Sequence, residues 1–222
     1  MNGPQHPGTT RRLTAQQFAL EQIRELVASG RLKPDARIRQ EQLAAELGTS
    51  VVPVREALKT LEAEGQVRYE PHRGYQVARL SLAELTETYL IRRLLEDEIV
   101  RIAAPLLDDK RFAELDRLMQ AMESASAAGN PHLMIAANRD FHFTIFGAAR
   151  HPRMEDFIRM LWQSTDAYRS VYYADRGARD RVNDEHASIV AALRAGDIDR
   201  ALRELDEHRG HAVTDLAARL EG

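Results

Sequence analysis

A chain of 222 residues has room for one large domain or two small ones, and 44% hydrophobic with 29% charged residues is ordinary for a globular protein in water. A net charge of −3 argues against a surface that is basic all over, and no apolar run approaches the length of a membrane span. The absence of cysteine excludes disulfides and thiolate metal sites.

Segment 1–10, MNGPQHPGTT, lacks an apolar signal core and reads as a disordered tail, which fits a cytoplasmic protein. The first helix is expected over Thr14 to Ser29, with Phe18, Ile23, Leu26 and Val27 sharing a face and Gly30 ending it. Arg31 to Arg39, with Pro34-Asp35, reads as a connecting turn. A second helix, Gln40 to Leu47, closes at Gly48. The next stretch, SVVPVREALKTLEAEG from Ser50 to Gly65, is the one the chain is organised around. Val54, Ala57, Leu58 and Leu61 form one apolar stripe, Ser50 is placed to N-cap, Pro53 sits in the first turn, and Gly65 stops the helix. Helix, short turn, helix is a helix-turn-helix layout. Two strand-like runs follow, Gln66–Tyr69 and Tyr75–Ala78, around a turn at Pro71-His72-Arg73-Gly74, which makes a wing.

Beyond the wing the pattern is helical throughout. Ser81-Leu82-Ala83-Glu84 matches a capping box. Helices are expected over Ser81–Ala104, Asp109–Ala128, Pro131–Ala148, Pro152–Tyr173, Ala178–Ala195 and Ile198–Leu220. The expected fold is mainly α: a winged helix-turn-helix over 11–78 with a small β wing, then an antiparallel all-α bundle over 79–222. The link Arg79-Leu80-Ser81 leaves little slack between them. Charge is mildly uneven: Arg11 to Leu80 carries 12 basic and 9 acidic residues, the remainder 19 and 25.

A helix that enters a major groove must expose polar side chains near its N-terminus while its apolar stripe anchors it. Thr49 and Ser50 can meet phosphate, and Arg55 is suited to a guanine, whose O6 and N7 a guanidinium can hold together. Lys59, one turn on, is placed for phosphate, and His72 and Arg73 at the wing tip for the backbone or minor groove. The competing reading of Arg55 is an ion pair on its own helix, for instance with Glu62, and that of Lys59 a solvated surface charge.

The segment resembles the N-terminal domain of the GntR family of bacterial transcription regulators. The likeness rests on Pro34, Leu43-Ala44, Leu47-Gly48, Ser50, the run Pro53-Val54-Arg55-Glu56-Ala57-Leu58, Leu61-Glu62, Glu64-Gly65, Arg73-Gly74 and Val77. The family usually has an Arg directly after the serine that opens the recognition helix. Here Val51 stands there, followed by Val52 where Thr or Ser is common. The departure implies an operator that differs at that base step, or weaker binding; Val can touch a thymine methyl but cannot read guanine.

The second half, through TETYLIRRLLEDEIVRIAA, NRDFHFTIF, NDEHASIVAALRAGD and ALRELDEH, resembles the ligand-binding (FCD-type) domain of the FadR-like branch of that family. That branch commonly carries an aspartate and three histidines in order. The matching positions are Asn138, His142, His186 and His208, with Asn in place of the aspartate. Asn138 and His142, at i and i+4, share a helix face. The resemblance thus implies a divalent metal of Zn, Ni or Mn type, held less tightly for want of one anionic ligand or leaning on a carboxylate effector. The alternative is three hydrogen-bonded core histidines. The resemblance also implies an inward Arg92 near the effector; an ion pair with Glu96 at i+4 competes. Tyr89, Trp162, Tyr168 and Arg169 are candidates to line the same cavity, though their spacing equally suits plain core. The function implied is a homodimeric, ligand-responsive regulator on a near-palindromic double-stranded operator, a repressor released by a small organic acid. A metal-dependent hydrolase and a DNA-binding protein with a degenerate pocket are the alternatives.

Overall fold

The structure is a computed structural model and describes residues 13–79 and 81–220. The expected tail at 1–10 and Leu80 of the link lie outside the described residues. Helix α1 (Ala15–Ala28) opens on a capping box: the Thr14 hydroxyl accepts from the Gln17 amide at 3.2 Å, and the Gln17 side chain accepts from the Thr14 amide at 3.0 Å. Its buried stripe is Ala19, Ile23 and Val27. Phe18, expected on that face, is exposed, because it lies about 100° around the helix from Ala19.

A short strand β1 (Arg37–Ile38) follows where a plain turn was expected. Two residues are too few to show an alternation. Helix α2 (Gln40–Glu46) turns at Gly48, which takes φ +63°, into α3 (Val51–Ala63). Val54, Ala57, Leu58 and Leu61 of α3 are fully buried. Ser50 has the extended backbone of an N-cap, but its hydroxyl makes no capping bond; the expected cap is therefore positional only. Strands β2 (Val67–Glu70) and β3 (Gly74–Val77) form the wing hairpin, with Val67 opposite Val77 and Tyr69 opposite Tyr75. β1 pairs antiparallel with β3, giving the sheet order β1-β3-β2.

Helix α4 (Leu82–Ala103) starts on the expected Ser81/Glu84 capping box. Its inward positions are Leu85, Tyr89, Arg92, Glu96, Ile99, Val100 and Ala103, so two charged residues occupy an otherwise apolar seam. The bundle continues with α5 (Asp109–Ala127), α6 (Pro131–Phe146), α7 (Pro152–Ser164), α8 (Asp166–Tyr172), α9 (Arg176–Arg194) and α10 (Ile198–Leu220). α5 packs on α6 and α9, and α10 on α9 and α4.

The single helix expected over Pro152–Tyr173 is broken at Thr165. Its hydroxyl donates to the Trp162 carbonyl at 2.9 Å, and its amide makes a tight bond to the same oxygen at 3.2 Å. Asp166, just beyond, is buried against Arg139. The short α8 that results packs both within the bundle and against α1 of the head.

Candidate functional site

On the head, the exposed end of α3 carries the expected reading surface. Ser50, Arg55 and Lys59 are exposed and Thr49 is half-buried. Val52 is 65% exposed, whereas Val51 turns inward against the core. So the valine at the family's arginine position acts partly in packing, and Val52 is the one that presents a methyl surface. Arg55 does not pair with Glu62; its Nε donates to the Gln40 side chain at 3.3 Å, tying α3 to the start of α2. Lys59 meets Glu56 at 2.8 Å, which raises its pKa. His72, at φ +66°, and Arg73 stand exposed at the wing tip, where Arg73 reaches Glu70 at 3.3 Å.

The second site is buried in the bundle. His142 on α6, His186 on α9 and His208 on α10 each offer one nitrogen, and these atoms lie within 4.8 Å of one another. The Nε2 atoms of His142 and His186 are 3.2 Å apart. Burial, with His186 and His208 next in effect, holds His142 well below its ordinary pKa; burial and His208 do the same for His186. Both rings are therefore neutral near pH 7, and each keeps one nitrogen lone pair. The His208 Nδ1–H points at the Glu185 carboxylate, 2.6 Å away, which leaves its Nε2 as the acceptor. The other Glu185 oxygen binds exposed His211 at 2.7 Å, so His211 stands behind the set and is no rival to His208.

Beside the histidines lies a small cavity of about 20 Å³, lined by Tyr89, Arg92, Asn138, Trp162, Arg169 and His208, with Tyr172, Tyr173, Arg209, Ala212 and Leu216 around it. Tyr168 is buried on α8 but is not among the lining residues. Arg92 is both inward and ion-paired, so the two readings of it are one arrangement: its Nε donates to Glu96 at 2.8 Å, and its guanidinium lies between the Tyr89 ring, at 4.5 Å, and the Trp162 ring, at 4.3 Å. Glu96 also accepts from the Trp162 indole at 2.6 Å and from Arg209 at 3.2 Å. Burial pushes the Glu96 carboxyl up, but Arg92 and Arg209 outweigh it and leave it below the ordinary value.

Family comparison settles what joins these two sites. "Bacterial regulatory proteins, gntR family" matches residues 15–77, and "FCD domain" matches residues 87–211. The chain is 32% identical over 204 residues to the probable D-xylose utilization operon transcriptional repressor of Paenarthrobacter nicotinovorans, covering 90% of this chain and 89% of that one. The chain belongs to the GntR family, in its FCD-domain branch. The GntR regulator McbR of Escherichia coli (strain K12) is 30% identical over 178 residues, or 79% of this chain and 80% of that one. The solved structure of E. coli McbR/YncC agrees with a TM-score of 0.86 at 25% identity, over 94% of this chain and 99% of that one. A GntR structure from Rhodococcus sp. RHA1, at 21% identity and a TM-score of 0.80 over 91% of this chain and 97% of that one, shares the fold. As a GntR regulator of FCD type, the protein is a DNA-binding transcription regulator and not an enzyme, so the hydrolytic reading of the histidines falls. Among the described residues, no helix is long and apolar enough to cross a membrane.

The histidine set fits a metal. Two nitrogens each about 2.0–2.1 Å from a tetrahedral ion lie about 3.3 Å apart, close to the His142–His186 separation. Asn138 is buried with its Oδ1 unpartnered, as a vacant oxygen ligand would be. The outward Nδ1 atoms of His142 and His186 have no partner either; only His208 among the three has a carboxylate behind it.

Glu185, Arg209, Tyr172 and Tyr173 belong to this site but were not singled out from the sequence as part of it. Glu185 and Arg209 each adjoin a predicted histidine, but adjacency on a helix does not say which way a side chain turns.

Proposed function

We propose that this GntR regulator is a homodimeric repressor whose bundle senses a small carboxylate, with a divalent metal in the pocket, and releases a near-palindromic operator when the effector binds. Asn138, His142, His186 and His208 hold the metal, a late first-row ion such as Zn or Ni being the best match to neutral imidazoles. Arg92, Tyr89, Trp162 and Arg169 face the effector. Thr49, Ser50, Val52, Arg55 and Lys59 face the major groove, with His72 and Arg73 alongside the backbone. The probable xylose-operon repressor among its relatives supports the sign of regulation. Leu90 and Leu94, one turn apart on α4 and 50% and 61% exposed, offer an apolar strip to a second copy. The setting is cytoplasmic.

The observation that carries this reading is the double duty of α8. It brings Arg169 and Tyr172 to the cavity wall and packs against α1, which in turn supports α3. A ligand with different affinities for two α8 positions thereby biases the head. The test is anisotropy of promoter DNA with the purified protein, with and without metal and a carboxylate panel. DNA binding that no metal and no carboxylate alters would instead favour a head on a degenerate pocket, to which the Asn138 substitution also points.

A further inference from the structure

We infer that Arg31, Arg37 and Arg39 form a second ligand site, on the head, and that it takes a phosphate group. The inference is independent of the metal and effector reading of the bundle.

The site is an open pocket of about 230 Å³ between the C-terminal end of α1, strand β1 and α2. Leu26, Leu32, Ile38 and Leu43 are its aliphatic lining, buried or half-buried, and the three arginines stand exposed around them. What sets these cations apart is that nothing in the head answers them. The other described arginines of this half all have acceptors. Arg24 meets Glu64, Arg55 meets Gln40, Arg73 meets Glu70, and Arg68 and Arg79 both reach Asp35. Arg31, Arg37 and Arg39 have no hydrogen-bond or ion-pair partner among the described residues, and they are the arginines that line this pocket.

The acids within reach do not change that balance. Asp35, the acid of their own stretch, is engaged with Arg68 and Arg79. Glu46, the carboxylate of the lining, accepts from Gln42 at 3.1 Å and forms an ion pair with none of the three. Three guanidiniums against one carboxylate leave two positive charges in excess in one concavity. Their mutual repulsion is relieved by an anion. A guanidinium fork matches phosphate oxygens in pairs, and a phosphate has at least three oxygens to share among three arginines, whereas a carboxylate has two. The pocket is smaller than the roughly 300–1,000 Å³ of a drug-sized site, so the phosphate carries little else into it. Gln42 and Glu46 lie about 120–160° around α2 from Gln40, which holds Arg55. The pocket therefore flanks the reading surface and is not part of it. Two sources present the same group there: a DNA backbone phosphate beside the recognition helix, and a small phosphorylated molecule in solution.

The experiment separates these sources on the full-length protein. Calorimetry with inorganic pyrophosphate, at ionic strength matched with chloride, reads the free anion. The salt dependence of promoter-duplex binding, by anisotropy, reads the backbone. Both are run on wild type, Arg37→Gln, Arg39→Gln, the double variant and Lys33→Gln, which removes an exposed cation of the same stretch outside the pocket. Pyrophosphate binding that weakens about tenfold in each arginine variant and stays at the wild-type level in Lys33→Gln supports a small phosphorylated ligand. A slope of log affinity against log salt that is shallower by about 0.9 per arginine removed, on promoter and random duplex alike, assigns the pocket to the DNA backbone. Wild-type pyrophosphate affinity and a wild-type salt slope in the double variant overturn the inference. Equal losses in Lys33→Gln and the arginine variants overturn it too, because a diffuse positive surface then explains them. Unchanged melting temperatures check that these exposed substitutions leave the fold intact, and Arg31→Gln replaces any variant that fails.

Discussion

Glu96→Gln removes a negative charge and little else from the centre of the bundle. Glu96 is 1% exposed and accepts from Arg92 at 2.8 Å, Trp162 at 2.6 Å and Arg209 at 3.2 Å. An amide keeps the shape and one acceptor oxygen, but turns the other position into a donor that faces a guanidinium. Two buried guanidiniums then retain Asp97 and Asp206, both of them on Arg209. Removing one partner of a buried ion pair costs about 3–5 kcal/mol, and the surviving acceptor argues for about 3. For a chain of this length that corresponds to a fall in Tm of roughly 6–12 °C. Urea unfolding of metal-free wild type and variant, followed by circular dichroism, measures the loss. A loss under about 1 kcal/mol, with the helical signal intact, would mean that the cluster is not held by Glu96.

Arg55→Ala should weaken specific operator binding by about 1–3 kcal/mol in anisotropy titrations without lowering the melting temperature, since the side chain is exposed. Leu58→Ala, at a fully buried site of α3, should cost about 2–5 kcal/mol in unfolding and reduce DNA binding through loss of the head. Glu185→Gln should weaken metal retention by about 10–100-fold in a chelator competition, because it loosens the orientation of His208. Metal-free protein should lose stability as pH falls. His142 and His186 are held below their ordinary value of 6.5 in the folded state, so below that pH the unfolded chain takes up protons the folded one refuses. The slope is at most about 1.4 kcal/mol per pH unit for each histidine, read from melts between pH 7.5 and 5.5. Stability that is flat over that range would contradict neutral, buried rings.

Much of this protein is legible along the chain because its signals are local. The apolar stripe on α3, the Ser81/Glu84 capping box and the glycine after α2 each involve residues within a turn or two of one another. Periodicity also says that Asn138 and His142 share a face and that Arg92 and Glu96 can meet. The limit shows at α7 and α8, where a continuous helical pattern hides a break made by a hydroxyl that bonds its own helix and a buried Asp166 held from another helix.

What the sequence by itself determined is most of the helices and the wing hairpin, the apolar stripe of α3 and the family register of the histidines. Tertiary structure alone decided which polar groups meet: Glu96 with Arg209, 113 residues apart, Glu185 with His208 on the next helix, and β1 with the wing. The reason is physical. A helical repeat specifies a direction around one axis, whereas contact between two axes depends on their separation, crossing angle and rotation, which are set by the packing of the whole core.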